Sequence, residues 1–326
     1  MVVGLTYDVK EEYIAKGYTP SLVAEFDSIE TIEAIEHALT QLGYEVERIG
    51  NIYNLVEALA HHKRWSIVFN IAEGLYTLAR EAQVPSLLDA YQIPYVFSDS
   101  LTLTLTLHKA LAKKLVRSHN LPTADYHVID NLNDIEDVQL HFPLFVKPMG
   151  GGTGMGIDRH SVVHSQKELT DRVVSLLHLF GPPLLVESYL GGREFTVGII
   201  EKDNEPHVIG VMEILVDSAS DGGIYSYHTK ENYKESVTYK KVDSPHIHKE
   251  CSRIAVGAWK ALGCRDGGRV DLKMDTQEKL YFLEVNPLAG LHPIDSDLPI
   301  LANMNGLDYT TLLEMIMNSA VSRLKT

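Results

Sequence analysis

Cysteine is scarce in this sequence, and long apolar runs are absent. The chain of 326 residues has two cysteines, Cys251 and Cys264, which cannot form a disulfide framework and are predicted to be reduced packing residues. No uncharged apolar run approaches the roughly 18 residues of a membrane span. The N-terminal residues lack the basic and apolar regions of a signal peptide. We therefore expect a cytoplasmic protein with no membrane contact.

Basic residues are also in deficit. Lysine and arginine total 29 against 44 aspartates and glutamates, so the formal net charge is −15 and the pI is near 5.4. This balance disfavours general binding to nucleic acid or to an anionic membrane surface. An anion could bind only at a focused local site. The 15 histidines are scattered, and neither His61-His62 nor His246 with His248 has companion ligands at zinc spacing.

The first third of the chain alternates short apolar strands with amphipathic helices. Strands are predicted over 2–6, 44–49 and 65–71, with a helix over 28–42 between the first two. Such alternation favours a parallel sheet covered by helices. At about 150 residues per domain, the length suggests two domains or three small ones.

The stretch 101–107 (LTLTLTL) carries two conflicting signals. Its period of two is typical of a strand. Ser98 and Asp99 precede it as candidate helix caps, and the residues from Lys109 onward have a helical pattern. We predict a helix that begins near Ser98 or Asp99.

The densest glycine cluster follows a predicted strand, in the run FVKPMGGGTGMG. Five of the seven residues from Gly150 to Gly156 are glycine. Backbone N–H groups of such a loop can approach phosphate oxygens without obstruction by Cβ atoms. Lys147 ends the strand, so its ammonium can lie over those phosphates. No GK[ST] sequence follows, so this is not a Walker loop, and from these residues alone a flexible hairpin turn is equally open.

Two predicted strands near the C-terminus carry polar residues in alternation. Arg269 and Asp271 share one face of the first strand, and Glu284 and Asn286 share one face of the second. The residues 275–279 supply a polar turn between them. If Asp271 lies opposite Glu284, then Arg269 lies opposite Asn286. Such hard oxygen ligands suit Mg²⁺ shared with substrate phosphates, and a surface ion-pair ladder is the alternative.

Four further charged residues are weaker candidates. Glu187 and Glu194 flank a glycine turn at a predicted hinge, and Lys109 and Lys230 could bind phosphate. By default, each of the four is a solvated surface residue.

Taken together, the order of these segments resembles the ATP-grasp superfamily and, within it, the D-alanine–D-alanine ligase family. The resemblance runs from about residue 20 to the C-terminus, and its strongest part is ALGCRDGGRVDLKMD…LYFLEVNPLAGL at 261–291, which looks like the family's metal segment. The segment FVKPMGGGTGMG resembles the glycine-rich lid strand and loop of the family. The segment LLVESYLGGREFTVGII resembles its adenine hinge, and YSYHTKENY resembles its mobile loop. The approach to the first ATP lysine resembles IPYVFSDSLTLTLTLHKALAKKL.

The resemblance implies a role for each matching residue. The implied ATP ligands are Lys109, Lys147, Gly152, Glu187, Leu190, Glu194 and Lys230, with the lysines on the phosphates and the glutamates on the adenine amine and ribose hydroxyls. The implied ligands of two Mg²⁺ or Mn²⁺ ions are Asp271, Glu284 and Asn286. The implied substrate groups are Glu25 for the first ammonium, Thr153 as the loop hydroxyl, Arg269 for the oxyanion, and Gly290 and Ser296 for the second carboxylate.

The resemblance also implies the fold and the reaction. The fold is an α/β ATP-grasp fold with an N-terminal parallel α/β domain (1–100), a small central α+β lid module (101–187) and a C-terminal mixed-sheet module (188–326) that holds the metal and oxyanion residues. The reaction is an ATP-dependent carboxylate–amine ligation through an acyl-phosphate, which gives a dipeptide for peptidoglycan synthesis. The glycine loop and the 217–233 loop would close over the site and exclude water. Small amino acids are the implied partners, with no nucleic acid or membrane, and a homodimer is compatible with the sequence.

Three departures from the family pattern concern substrate selection and lid closure. Ser188 stands where a hinge lysine is usual, and the chain reads NIAEG at 70–74 where the family has a histidine–glycine–glutamate–aspartate signature. Glu231 stands where D-alanine-specific members have a tyrosine, and its carboxylate is expected to favour a cationic or amino-bearing substrate. The alternatives are a ligase with another amino-acid or hydroxy-acid acceptor, a phosphotransferase that stops at the acyl-phosphate, and an ATP-binding module without turnover.

Overall fold

The computed structural model describes residues 1–152, 154–216 and 237–325. The described strands are β1 (Val2–Thr6), β2 (Glu45–Gly50), β3 (Ile67–Asn70), β4 (Tyr126–Ile129), β5 (Leu144–Pro148), β6 (Val162–Val163), β7 (Leu184–Ser188), β8 (Glu194–Lys202), β9 (Glu205–Val216), β10 (Val237–Lys241), β11 (Gly267–Met274) and β12 (Leu280–Asn286). The described α-helices are α1 (Lys10–Ala15), α2 (Ile29–Gln41), α3 (Ile52–Ala60), α4 (Gln83–Ala90), α5 (Ser100–Leu107), α6 (Lys109–Ser118), α7 (Gln166–Phe180), α8 (Pro245–Leu262), α9 (Asp297–Met304) and α10 (Tyr309–Ser322). Among them, no helix has the length and apolar character needed to cross a membrane. The loop predicted over 217–233, with Lys230 and Glu231, lies outside the described residues, as does Thr153.

The first sheet is parallel, as the alternation of strands and helices predicts. Its strand order is β2-β1-β3. The helix α2 covers one face through Ile32, Ile35 and Leu39, which are fully buried in the core of this region. This helix begins after Ser28, whose hydroxyl accepts the N–H of Thr31. The loops that follow β1 and β3 line one wall of the site described below.

The second sheet has the order β4-β7-β5-β6, and its described pairings are antiparallel. The helix α7 packs on it through Leu169 and Val173, which are buried with Val146 of β5 and Val186 of β7. Because Lys147 lies at the end of β5, the strand places this lysine at the start of the glycine loop.

The third sheet has the order β10-β9-β8-β11-β12, again with antiparallel pairings among the described strands. One isolated parallel bridge joins Thr123, which precedes β4, to Phe282 of β12. The helix α8 covers one face with the buried Ile254 and Trp259. The opposite face of β11 and β12 is therefore left to line the site.

The residues 101–107 are helical, as predicted, despite their period of two. The helix α5 begins after Asp99, whose carboxylate caps the first turn. The hydroxyls of Thr104 and Thr106 each donate to the carbonyl four residues earlier at 2.8 Å, so these two threonines are satisfied within the helix. The hydroxyl of Thr102 donates instead to the carbonyls of Leu262 and Gly263. A break at His108 separates α5 from α6 and sets the buried Lys109 at the start of the second helix.

Some elements were not predicted, and they are short or irregular. The sequence pattern did not indicate α1 or α9, which have six and eight residues, or the edge strand β10. Both cysteines are free and buried, as predicted. The domain boundaries at 100/101 and 187/188 stay predictions.

Candidate active site

Two adjoining cavities contain most of the predicted site residues. The first cavity lies between the second and third sheets and encloses about 860 Å³ of empty space, including its open mouth. The second cavity lies between β12 and the loops of the first sheet. Both cavities have Lys109, Arg269 and Glu284 in their walls. The first also contains Lys147, Glu187, Leu190, Glu194 and Asp271, and the second contains Glu25, Gly152, Asn286 and Gly290.

Glu187 is buried between two lysines, so its default interpretation as a solvated residue is wrong. Lys147 Nζ lies 2.6 Å from its Oε1, and Lys113 Nζ lies 2.9 Å from its Oε2. Burial raises the pKa of this carboxyl, but the charges of Lys113 and Lys147 outweigh burial and lower the pKa of Glu187 to about 2. Burial in turn lowers the pKa of Lys113, against the opposing effect of Glu187. The cluster has more cations than anions, which an acidic protein needs locally to bind a phosphate.

Lys113 was not predicted as a site residue, although a signal was available. It follows Lys109 by four residues on α6, a spacing that places both side chains on one face of the helix. Both are buried, at 0 % and 7 % exposure. Burial of a second lysine beside the first depends on contacts with β5 and β7 that the local sequence does not reveal.

Replacing Lys113 by methionine is expected to lower the free energy of unfolding by up to about 3 kcal/mol, because the buried Glu187 would keep one cation instead of two. Denaturant unfolding at pH 7 measures this change. Lys114→Met is the matched control, since Lys114 is the next residue on the same helix and is exposed. Equal stability of the two variants would contradict the role assigned to the Lys113–Glu187 pair.

Lys109 joins the walls of the two cavities. Its Nζ donates to the carbonyl of Gly151 at 2.8 Å and lies 3.2 Å from Glu284 Oε2. It therefore connects α6, the glycine loop and β12 through one buried ammonium. The default interpretation of this residue as a surface lysine is wrong.

β11 and β12 pair in the predicted register. Arg269 lies opposite Asn286, and Asp271 lies opposite Glu284. Arg269 Nη1 lies 2.5 Å from Asp271 Oδ2 and 3.3 Å from an oxygen of Asp297 at the start of α9. The amide of Asn286 donates to the same Asp271 oxygen at 3.2 Å. Because Asp271 is 6 % exposed and lines the first cavity, this group is not a surface ion-pair ladder.

The donor set on this hairpin suits a hard divalent cation. Asp271, Glu284 and Asn286 offer carboxylate and carboxamide oxygens, which Mg²⁺ and Mn²⁺ prefer over the nitrogen and sulfur ligands of zinc. In the parts of the chain that the structure describes, no group of three or more His, Cys, Asp or Glu side chains is placed to hold a metal. Phosphate oxygens or water would therefore have to complete the coordination, which is the usual arrangement for Mg²⁺.

Further residues orient this face of the sheet, and sequence reasoning missed them. Lys273 Nζ lies 2.7 Å from Glu194 Oε2. Burial lowers the pKa of Lys273, but Glu194 raises it overall. The alternation that starts at Arg269 and Asp271 puts Lys273 on the same face, so this residue could have been found. The hydroxyl of Thr196 donates to Asp271 Oδ1 at 2.9 Å from β8, a strand that the local pattern does not relate to β11.

Glu25 faces the glycine loop. Its Oε1 accepts the N–H of Gly152 at 2.6 Å. A Cβ atom on Gly152 would overlap this oxygen, so the close approach requires glycine. The loop therefore lines both cavities, with Gly151 and Gly154 in the first and Gly152 in the second.

The remaining predicted residues lie at the two far ends of the site. In the first cavity Leu190 is buried beside Tyr189, whose ring stacks on Phe145 with 6.3 Å between centroids, and these side chains form an apolar wall. At the other end Gly290 lines the second cavity, and the Ser296 hydroxyl lies behind it.

Comparisons with known proteins agree on one family. A family model described as D-ala D-ala ligase C-terminus matches residues 115–318. The D-alanine--D-alanine ligase of Syntrophotalea carbinolica is 30% identical over 299 residues, which are 91% of this chain and 92% of that protein. The enzyme of the same name from Aquifex aeolicus is 29% identical over 291 residues, which are 89% of this chain and 94% of that protein.

Solved structures of such enzymes have the same fold. The D-alanine--D-alanine ligase from Bacillus anthracis complexed with ATP has a TM-score of 0.72 and 21% identity, with 100% of this chain and 99% of that chain covered. The VanG D-Ala:D-Ser ligase from Enterococcus faecalis has a TM-score of 0.75 and 19% identity, with 98% of this chain and 99% of that chain covered. These likenesses confirm the predicted ATP-grasp fold. Together with the family model and the relatives, they identify this chain as a member of the D-alanine–D-alanine ligase family.

Proposed function

We propose that this protein is an ATP-dependent carboxylate–amine ligase that joins two amino acids of the D-alanine type into a dipeptide. The observation that carries the proposal is the junction of the two cavities at Lys109, Arg269 and Glu284. A nucleotide in the first cavity would present its γ-phosphate at this junction. An amino acid in the second cavity would present its carboxylate at the same place. The relatives named D-alanine--D-alanine ligase support the class of reaction.

ATP would occupy the first cavity. We assign the phosphates to Lys109, Lys147 and Lys230, the last outside the described residues, the adenine amine to Glu187, the ribose hydroxyls to Glu194 and a further contact to Leu190. Gly152 lines the second cavity, and we assign it a contact with ATP where the two cavities meet. The positive charge of Lys147, in the cavity wall, and of Lys113, buried behind Glu187, supports this placement, because it is concentrated beside one cavity of a protein with a net charge of −15.

We assign two Mg²⁺ or Mn²⁺ ions to Asp271, Glu284 and Asn286. Such ions offset the charge that gathers on the phosphates during transfer. The side chains that would hold them lie beside Lys109 and Arg269, which supply fixed positive charge at the junction. Arg269 is held in place by Asp271 and by Asp297.

The reaction would take place in two steps. With its ammonium bound by Glu25, the first amino acid attacks through a carboxylate oxygen, so a new O–P bond forms to the γ-phosphorus and ADP leaves. The amine of the second amino acid then attacks the acyl-phosphate carbonyl, a C–N bond forms, the amine loses a proton and phosphate leaves. Arg269 stabilises the oxyanion of this second step. Gly290 and Ser296 hold the second carboxylate, and Thr153 belongs to the loop that closes over the substrates.

The test is a turnover assay with single and paired amino acids, with ADP, phosphate and the product measured separately. We expect one ADP for each peptide bond, and ADP release that requires an amine acceptor. ADP release without a peptide would favour a phosphotransferase, and an ester product would favour a hydroxy-acid acceptor. ATP binding without turnover in any mixture would overturn the proposal in favour of a passive module.

The proposal also covers the setting of the enzyme in the cell. A cytoplasmic location, a contribution of the dipeptide to peptidoglycan synthesis and a homodimer are its further parts. Cell fractionation and the molar mass in solution test the first and the last of these.

A further inference from the structure

Arg80 links the two groups that face each other across the second cavity. Its Nη2 lies 2.5 Å from Glu25 Oε2, and its Nη1 donates to the carbonyl of Gly150 at 3.0 Å. The other oxygen of Glu25 accepts the N–H of Gly152. Arg80, Glu25 and the start of the glycine loop therefore form one closed set of hydrogen bonds.

This set is enclosed rather than superficial. The side chains of Arg80 and Glu25 are 12% and 13% exposed, so the ion pair is shielded from solvent far more than an ordinary surface pair. The neighbouring Leu78 fills the space beside Gly150, where a Cβ atom would overlap its side chain. The segment 78–80 thus fits closely against the glycine loop.

The charges around Arg80 favour the same arrangement. Glu73 and Glu81 line the second cavity together with Glu25. Burial and then the neighbouring carboxylates raise the pKa of Glu73, and burial chiefly raises the pKa of Glu81 to about 7. Arg80 offsets part of this local negative charge, and Lys109 in the wall of the same cavity also lowers the pKa of Glu81. Burial lowers the pKa of Arg80, but Glu25, Glu81 and Glu73 raise it overall.

We propose that Arg80 is a positioning residue for the ligation: it fixes the Glu25 carboxylate against the glycine loop, so that the ammonium of the first amino acid meets a preoriented acceptor. The inference rests on the proposed function of this site. Arg80 acts through Glu25, which lines the cavity, and through the carbonyl of Gly150. Its removal would release the Glu25 side chain and one of the contacts that hold the loop in place.

Arg80→Met is expected to raise the KM for the first amino acid by about 10- to 100-fold, the effect of losing a charge-assisted hydrogen bond at the binding group. The KM for ATP should change by less than about 3-fold, because Arg80 contacts no group assigned to ATP other than the loop. Steady-state kinetics with each substrate varied in turn measures this split. Arg48→Met is the matched control, since Arg48 pairs with Glu36 in the same part of the chain, away from both cavities.

The double variant separates positioning from general stabilisation. If Arg80 acts through Glu25, then Arg80→Met in a Glu25→Gln background adds less than about 3-fold to the KM for the first amino acid. The inference would be overturned if Arg80→Met raised the KM for the first amino acid by the same factor in both backgrounds. It would also be overturned if Arg80→Met alone left this KM unchanged.

A second measurement does not depend on turnover. Hydrogen exchange at the Gly152 amide, without substrates, should be at least about 10-fold faster in Arg80→Met than in Arg48→Met, because the acceptor of that amide is no longer fixed. Unchanged exchange would overturn the inference even if the wild type proves inactive. Absence of turnover in the wild type with faster exchange in Arg80→Met would instead count against the proposed function alone.

Discussion

Replacing Glu284 by glutamine is expected to lower the kcat of peptide-bond formation by about 10³-fold, the scale of several kcal/mol of lost charge stabilisation. Glu284 is one of the carboxylates assigned to the metal ions, and it also pairs with Lys109 at the junction of the two cavities. The substitution keeps the size of the side chain and removes its charge. The rate of ADP release with saturating ATP and amino acids measures the loss. In a titration with Mg²⁺, the variant should need a higher Mg²⁺ concentration for half-maximal activity.

The matched control lies in the same hairpin. Glu278→Gln removes the same charge from the turn between β11 and β12, where the side chain is exposed and outside both cavities. Its kcat should equal that of the wild type. A Glu284→Gln enzyme with the turnover and Mg²⁺ dependence of this control would remove Glu284 from the metal site.

Replacing Lys147 by alanine is expected to lower turnover by about 10²- to 10³-fold, by analogy with the loss of one preorganised donor to a developing charge. The ammonium lies in the first cavity at the end of β5, and Glu187 holds it at 2.6 Å. The variant also leaves Glu187 with Lys113 as its remaining lysine partner, so the pKa of Glu187 should rise. Initial rates of ADP release measure the turnover of the variant, and equilibrium binding of ATP measures its affinity for the nucleotide.

An exposed lysine of the same region serves as the control for this change. Lys167→Ala removes a side chain that is 85% exposed and pairs with Asp171 on α7. Its turnover and ATP affinity should be unchanged. The role assigned to Lys147 would be excluded by a Lys147→Ala enzyme that behaves like this control.

The hairpin register was predictable because it depends on local rules. Alternation decides which residues of a strand share a face, and a short polar turn limits the ways in which two strands can pair. Arg269 therefore had to lie opposite Asn286 once Asp271 was set opposite Glu284, and the structure has this register. The glycine loop was likewise identifiable, since its composition alone is unusual.

The supporting charges were not predictable in the same way. Lys113 is buried and the Arg80 side chain is largely enclosed because elements distant in sequence close over them. The four-residue spacing from Lys109 places Lys113 on the same helix face, but it does not show that this face is buried. The default assumption that a lysine is exposed also misplaced Lys109. Burial of a charge depends on partners from elsewhere in the fold, so a single strand or helix pattern does not reveal it.

The glycine loop has a consequence for how the two substrates bind. Its amides and carbonyls contact Lys109 on one side and Glu25 and Arg80 on the other, so one segment of backbone forms part of both cavities. A ligand in one cavity that favours the described conformation of these glycines would favour the same conformation at the wall of the other cavity. By thermodynamic linkage, nucleotide must then raise the affinity for the amino acid by the same factor as the amino acid raises that for nucleotide. If both substrates favour the same conformation of this loop, we expect each of them to bind more tightly in the presence of the other.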